Sequence, residues 1–238
     1  MRLHAEKFLF VNGNSWATSQ AVWEYAAQEN PVMLPAAFGV AETRLHGSGA
    51  REAAKRWMAQ RGYLLHQSGA TATGSGGAAV GPSGGAATSA GVALAVTARW
   101  PSRRLKLPNL ELFGGMVVLV QVDHPKIRGG LVMGTVYLHS GDGWGTKNLE
   151  LLAGLGAEIL ALERPFLLMG DWNLEGFQFV ASGWAERLGA HVLRPVKSTC
   201  SAGAGGELDF MVASSILCGE AEEVTVLADA PASPNSPV

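Results

Sequence analysis

Pro165-Phe166-Leu167-Leu168-Met169-Gly170-Asp171-Trp172-Asn173 is the stretch from which the fold of this chain is read. Four apolar residues between a proline and a glycine predict a short strand buried on both faces, because only such a strand leaves no position for a polar side chain. Asp171 and Asn173 stand two residues apart at its end. If the extended backbone continues through Trp172, both side chains leave one face at the carboxyl end of a core strand, where α/β proteins assemble their sites. An aspartate beside an asparagine offers an anionic oxygen, a neutral oxygen and an amide donor. That set suits a hard divalent cation, a phosphate or an attacking water. The same two residues also suit a turn that caps the next helix, so the choice falls to the rest of the chain.

Upstream, Leu149, Leu152, Leu155, Ile159, Leu160 and Leu162 recur at helical spacing and predict an amphipathic helix that packs on a sheet and leads into the opening strand. Apolar runs at 116–122 and 131–138 predict two strands joined as a hairpin across 125–130. Further back, a strand at 8–11 ends in the turn Asn12-Gly13-Asn14-Ser15. A helix from 16 to about 30 follows, then an extended run at 32–40 that ends in Ala41-Glu42-Thr43. A helix at 50–60 and a strand at 63–66 come next. Downstream of the opening stretch the pattern predicts a short helix or a pair of turns over 176–188, and strands at 191–196, 208–213 and 224–227. Strand, helix and strand with polar residues at the strand ends make a layered α/β domain. Residues 69–91 are almost entirely Gly, Ala, Ser and Thr, too little apolar surface to offset their ordering entropy. They read as a flexible loop inside a single domain spanning 1–238, because strand signals resume at once in 92–96.

The composition, 47% hydrophobic and 16% charged against roughly 25% charged in an average domain, is that of a globular chain with little surface charge. A net charge of −2 does not draw the whole molecule onto nucleic acid or an acidic membrane, so any phosphate affinity has to be local. No apolar run approaches the ~20 residues of a membrane span, and residues 1–7 lack the apolar region of a secretory signal. Cys200 and Cys218 make neither a disulfide framework nor a CxxC pair. These features predict an intracellular protein, nuclear or cytoplasmic. Arg99, Arg103, Arg104 and Lys106, with Trp100 among them, form a basic run that reads either as a solvated loop or as a nucleic-acid contact.

Five separated pieces, Asn12-Gly13-Asn14, Ala41-Glu42-Thr43, Tyr137, Gly170-Asp171-Trp172-Asn173 and Leu208-Asp209-Phe210, fall at predicted strand ends across nearly the whole chain. In this order they resemble the endonuclease/exonuclease/phosphatase superfamily, which includes abasic-site endonucleases, DNase I-like nucleases, retroelement endonucleases, inositol phosphatases and sphingomyelinases. The resemblance implies a DNase I-like, four-layer α/β/β/α sandwich of two packed, mainly antiparallel sheets. It also implies hydrolysis of a phosphoester by a metal-assisted water, with Mg²⁺, or Mn²⁺, as the cofactor. In this scheme Glu42 is the metal ligand and Asn12 assists the metal or a phosphate oxygen. Asn14 matches a position that takes Asp or Asn and would bind phosphate. Asp171 orients the attacking water, Asn173 donates to the phosphate, and Tyr137 donates its phenol to a phosphoryl or leaving oxygen. For each of these the bland alternative is turn chemistry, a surface acid or a core tyrosine.

The chain departs from the pattern at its end. The family closes on an Asp-His pair, the His being held by the aspartate of the Leu-Asp-aromatic motif. Here Asn235 stands where the His is expected and Asp209 loses its partner; the last histidine of the sequence is His191. Asparagine neither exchanges a proton near neutral pH nor becomes cationic. The resemblance therefore implies a DNA endonuclease-like domain of retroelement type, reverse-transcriptase-associated, with its activity in doubt and its C-terminus trimmed. It acts as a monomer or as part of a larger polyprotein. The alternatives are a catalytically impaired binding module, or a phosphatase or lipid phosphodiesterase of the same superfamily.

Overall fold

The computed structural model describes residues 6–68, 71–72, 88–89, 91–111, 113–199, 206–218, 224–227 and 229–231. In chain order its elements are β1 (Phe8–Asn12), α1 (Trp16–Glu29), β2 (Ala37–Ala41), α2 (Gly47–Ala59), β3 (Tyr63–Gln67), β4 (Thr71–Ala72), β5 (Thr88–Ser89), β6 (Ala93–Thr97), β7 (Ser102–Arg104), α3 (Pro108–Glu111), β8 (Val117–Val122), β9 (Leu131–Tyr137), α4 (Thr146–Leu162), β10 (Phe166–Asp171), α5 (Gly176–Ala181), α6 (Trp184–Arg187), β11 (Ala190–Leu193), β12 (Asp209–Ser214) and α7 (Ser215–Cys218). Two sheets carry the architecture. One has the order β1-β2-β6-β3 and the other β11-β12-β10-β9-β8-β7, while β4 and β5 pair only with each other. Each large sheet contains one parallel pairing, β1 with β2 and β9 with β10, and its other neighbours run antiparallel. Among the described residues no helix is long and apolar enough to cross a membrane.

The opening stretch forms the expected strand. Every residue of β10 is buried, and so is every residue of its neighbours β9 and β12. Such strands read as continuous apolar runs because a sheet covers them on one face and helices on the other. On the face between the sheets, Thr135 of β9 donates to the carbonyl of Ala93 on β6 at 3.0 Å. Gly39 of β2 sits where a Cβ would lie 3.1 Å from the Phe10 ring, 3.1 Å from Thr135 Oγ1 and 3.3 Å from the Met169 methyl. The absence of a side chain at Gly39 sets how closely the sheets approach. On the outer face of the larger sheet, α4 buries Leu151, Leu152, Leu155 and Ile159. Outside the smaller sheet, Val22, Trp23, Ala54 and Met58 of α1 and α2 join a second core with Leu9, Phe38 and Tyr63.

Three expectations are corrected. The extended run at 32–40 is a strand only over Ala37–Ala41. Pro31 and Pro35 cannot donate to a ladder, and Val32 is 94% exposed. Residues 224–227 form no strand. Val224 and Val226 pack on the core between and behind the larger sheet, while Leu227 packs on the other core, so the segment bridges two apolar clusters through side chains. In the predicted amphipathic helix, Leu149 and Leu160 are exposed, because the buried stripe runs through 151, 152, 155 and 159. The hairpin of the 116–122 and 131–138 runs is present as β8 and β9. The ends of the Gly/Ala/Ser-rich segment pair as β4 and β5, and its centre, 73–87, lies outside the described residues.

Gly39→Val overfills the space between the sheets. Its expected cost is about 1–3 kcal/mol, read as a lower urea midpoint at an unchanged m-value.

Candidate active site

Strand register brings the predicted residues together. Asn12 closes β1 opposite Ala41 of β2, so Asn12 and Glu42 leave neighbouring parallel strands at the same end. In the other sheet Asp171 pairs with Tyr137 on one side and with Asp209 on the other. Two hydrogen bonds then cross from sheet to sheet at this end. The Asn12 amide donates to Asp171 Oδ2 at 2.6 Å, and the Tyr137 phenol donates to Glu42 Oε1 at 2.9 Å. Asn12, Glu42, Tyr137, Asp171, Asn173 and Asp209 therefore converge on one corner.

The backbone at this corner is unusual. Asn14, Glu42 and Asn173 have φ of +53°, +51° and +48°. Left-handed geometry is uncommon for residues other than glycine, and it clusters where the surrounding structure holds a functional group in place. Arg44, at +49°, belongs to the same turn as Glu42 and approaches Glu42 Oε2 at 3.5 Å. Sequence reasoning passed over Arg44, although it stands two residues beyond the acid in the Ala41-Glu42-Thr43 piece. The extended run expected to continue through Trp172 ends at Asp171, because Asn173 turns left-handed. The Asn173 N–H donates to Asp171 Oδ1 at 3.0 Å, and its side-chain amide donates to the carbonyl of Leu138 at 2.7 Å. Asn173 shapes the turn, and that turn holds the Asp171 carboxylate.

Gly170 and Trp172 explain the remaining letters of the motif. A Cβ at Gly170 would lie 2.7 Å from the carbonyl oxygen of Val136 on the parallel neighbour β9, so only glycine fits. Trp172 is fully buried, stacks on Phe210 at 5.3 Å with rings nearly parallel, and donates its indole N–H to the Phe210 carbonyl at 3.0 Å.

Burial sets the electrostatics. Asp171 is 4% exposed, and desolvation raises its pKa to about 7; the negative charge of Glu42 adds to the rise, and hydrogen bonds from Asn173 and Asn12 oppose it. Asp209 is pushed well above the ordinary carboxylate range by complete burial and then by the charge of Asp171. The Tyr137 phenol is raised by burial and by Glu42, which keeps it protonated as a donor. Oδ1 of Asn12 is buried without a hydrogen-bond partner among the described residues, and at Asp209 a side-chain hydrogen bond from Thr199 opposes the rise. The backbone around Asp209 is also fixed. Thr199, fully buried, accepts from the N–H of Asp209 at 3.0 Å and of Leu208 at 3.1 Å, and donates to the carbonyl of Gly206. Sequence reasoning missed Thr199, since its role comes from a chain reversal that places it beside residues ten positions away.

No group of three His, Cys, Asp or Glu that could hold a metal gathers among the described residues. The donors at the corner are instead the Glu42 carboxylate and the unsatisfied carboxamide oxygen of Asn12. Hard oxygens with one carboxylate fit a cation of the Mg²⁺ type, which keeps several of its waters.

The basic run lies elsewhere. Arg103 pairs with Gln121 and Ser102 with Val122, and Val122 faces Leu131 at the start of β9. Tyr137 is at the other end of that strand, about 20 Å away. Arg103 donates to Gln121 Oε1 and Arg104 to the carbonyl of Gln67, while Arg99 donates to Thr97 Oγ1. Lys106 is exposed beyond β7. Trp100 is buried against His124 at 4.6 Å and offers no stacking surface. Neither these residues nor the half-buried Asn14, in the turn after β1, make a hydrogen bond to the converged groups. Asn235 and Cys200 lie outside the described residues.

The fold matches solved structures over nearly the whole chain. An AP endonuclease from Archaeoglobus fulgidus aligns with a TM-score of 0.68 at 14% identity, covering 98% of this chain and 97% of that one. A 3'-5' exonuclease, NExo, from Neisseria meningitidis aligns with a TM-score of 0.66 at 16% identity over 97% and 96%. The endonuclease domain of TRAS1, a telomere-specific non-LTR retrotransposon, aligns with a TM-score of 0.64 at 13% identity over 98% and 95%. No protein-family model matches the sequence, and no curated protein matches it. The chain thus has a DNase I-like fold, two mixed sheets flanked by helices.

Two outcomes follow for the metal-free protein. A carboxyl with a raised folded pKa contributes stability that is present below its unfolded value, near 4, and is lost as pH rises through about 7. Asp171→Asn is therefore expected to melt above the parent at pH 8, with the gap closing toward pH 4, in thermal melts with EDTA. Thr199→Ala leaves the buried Asp209 N–H and the half-buried Leu208 N–H without their acceptor and is expected to cost about 1–3 kcal/mol, measured by urea unfolding.

Proposed function

We propose that this chain is a phosphodiester hydrolase acting on nucleic acid, with Mg²⁺ or Mn²⁺ held by Glu42 and Asn12. The observation that supports this reading is the meeting of three carboxylates, two carboxamides and a protonated phenol from both sheets at one corner. A bound divalent cation would neutralise the charge building on the phosphoryl oxygens and the leaving group. Asp171 holds the attacking water and accepts its proton. A buried carboxyl with a pKa near 7 matches that task at neutral pH. The two hydrogen bonds it receives, from Asn12 and Asn173, hold it in one orientation while it works.

Tyr137 releases Glu42 and donates to a phosphoryl or leaving oxygen. The second amide hydrogen of Asn173, beyond the one given to Leu138, is available to the phosphate, and Asn14 stands in the adjoining turn. Arg44, an exposed guanidinium next to Glu42, adds a cation at the mouth.

End-to-end similarity of fold to proteins described as nucleases supports nucleic acid over a small phosphoester or a lipid headgroup. The TRAS1 domain supports a DNA endonuclease of retroelement type, working alone or as one module of a larger polyprotein, in the nucleus or the cytoplasm. A second reading, a binding module with weak or no turnover, is favoured by one observation. Asn235 stands where the resemblance expects the histidine that would pair with Asp209.

The deciding assay is Mg²⁺-dependent nicking of supercoiled DNA together with cleavage of an abasic duplex. The parent is expected to turn over slowly, to stop with EDTA and to be silent as Glu42→Ala. Asp171→Asn is expected to lower kcat by about 10²–10⁴. Asn235→His is expected to raise turnover by orders of magnitude, since members of a coupled catalytic unit act together. Silence of both the parent and Asn235→His, with DNA still bound, would replace hydrolysis by the binding reading.

A further inference from the structure

A polar cavity of about 480 Å³ opens at the end of the larger sheet away from the corner, lined among others by Gln121, Asp123, His124, Gly129, Gly130 and Arg164. Val122 pairs with Leu131 at this end, and the whole of β9 separates Leu131 from Tyr137. None of the groups placed in hydrolysis reaches it.

Hydrogen bonds fix its wall, the turn between β8 and β9. The N–H of Asp123 donates to the Pro101 carbonyl at 2.8 Å, that of Ile127 to the His124 carbonyl at 3.1 Å, and that of Gly130 to the Ile127 carbonyl at 2.8 Å. The His124 ring is buried edge-on to Trp100. Its Nδ1 accepts from the Lys126 N–H at 3.2 Å, so Nε2 carries the proton and donates to Glu6 at 2.9 Å. Gly130 has φ of +75°, and a Cβ there would collide with the Val122 carbonyl oxygen. A wall ordered in advance spares a ligand the cost of ordering it.

The charged groups of the cavity are not used by the fold. Arg164 is half-buried and makes no hydrogen bond or ion pair among the described residues. Its Nη1 lies 3.6 Å from where a Cβ of Gly129 would stand, so the guanidinium reaches over the turn. Arg103 donates to Gln121 Oε1 at 2.6 Å, which leaves the amide hydrogens of Gln121 as donors. Lys126 and Arg128 are exposed on the same turn. Against these four cations stands Asp123, since Glu6 is engaged by His124. A partly desolvated guanidinium without an acid gains nothing from its own fold, and its planar fork matches a phosphate. The excess of cations favours a dianion over a single charge. The volume lies within the range of small-molecule sites, roughly 300–1,000 Å³, and exceeds what a bare phosphate fills.

We propose that this cavity binds a small hydroxylated phosphomonoester, with its phosphate on Arg164 and its hydroxyls between the Asp123 carboxylate and the Gln121 amide. The site is separate from the corner and does not depend on the hydrolase reading.

The experiment is isothermal titration calorimetry of the full chain in EDTA, with ribose 5-phosphate, ribose and dimethyl phosphate as probes. Ribose 5-phosphate is expected to bind saturably, and ribose and dimethyl phosphate at least about tenfold more weakly, since one lacks the phosphate and the other the second charge and the hydroxyls. Arg164→Gln is expected to weaken ribose 5-phosphate at least about tenfold, the loss of a charge-assisted hydrogen bond. Gly129→Asp sets a carboxylate beside the guanidinium from an exposed turn position and is expected to do the same. Arg44→Gln, at the corner, leaves this affinity unchanged. Circular dichroism checks the fold of each variant. Absence of saturable heat with ribose 5-phosphate, equal affinity for dimethyl phosphate, or binding that survives both Arg164→Gln and Gly129→Asp would overturn the proposal. Binding lost in Arg44→Gln would overturn it too, by moving the phosphate to the corner.

Discussion

Two hydrogen bonds across the seam between the sheets, Asn12 to Asp171 and Tyr137 to Glu42, are the contacts on which the site depends. Neither sheet alone carries all the groups of the site. The smaller sheet supplies a carboxylate and a carboxamide from adjacent parallel strand ends, and the larger one supplies a phenol and two acids. The sheets meet closely because Gly39 has no side chain and Thr135 bonds across to Ala93. The site geometry is thus a consequence of core packing some distance below it.

Bringing Glu42, Asp171 and Asp209 together has an energetic cost. Asp171 and Asp209 are buried almost completely, repel one another and resist ionisation. An isolated protein would gain stability by replacing them. Their presence together with left-handed Asn14, Glu42 and Asn173 is the pattern of a fold that gives up stability to hold reactive groups. A cation at Glu42 and Asn12 would offset part of this repulsion and would satisfy the oxygen that Asn12 leaves without a partner.

Aromatic packing supplies the rigidity that the acids need. Trp172 sits among Phe179, Trp184 and Phe210 and cannot move without disturbing strands β10 and β12 together. Its indole N–H, bonded to the Phe210 carbonyl, fixes the backbone beside Asp209 while its own backbone carries Asp171. The same cluster extends to the half-buried Trp144, which stacks on Phe179.

Much of the fold is legible in the residues alone. The run Phe166 to Met169 between proline and glycine is compatible with little except a doubly covered strand, and the hairpin of β8 and β9 follows from two β-branched runs and a turn. The polar strand-end motifs mark Asn12, Glu42, Tyr137, Asp171 and Asp209 because polar residues after apolar runs have few structural uses there. Local pattern failed where long-range packing decided the outcome. Residues 224–227 look like a strand but divide their side chains between two cores. Trp100 looks like part of a basic binding run but fills space beside His124. Thr199 has no distinguishing neighbours in the sequence, and its role arises from a chain reversal that only the folded backbone creates. The sequence by itself determined the element types and the chemistry available at the strand ends, since burial periodicity and side-chain functional groups are local properties. Only the tertiary structure decided which of those groups meet, because register and sheet-on-sheet packing are set by contacts between residues as distant as Asn12 and Asp171.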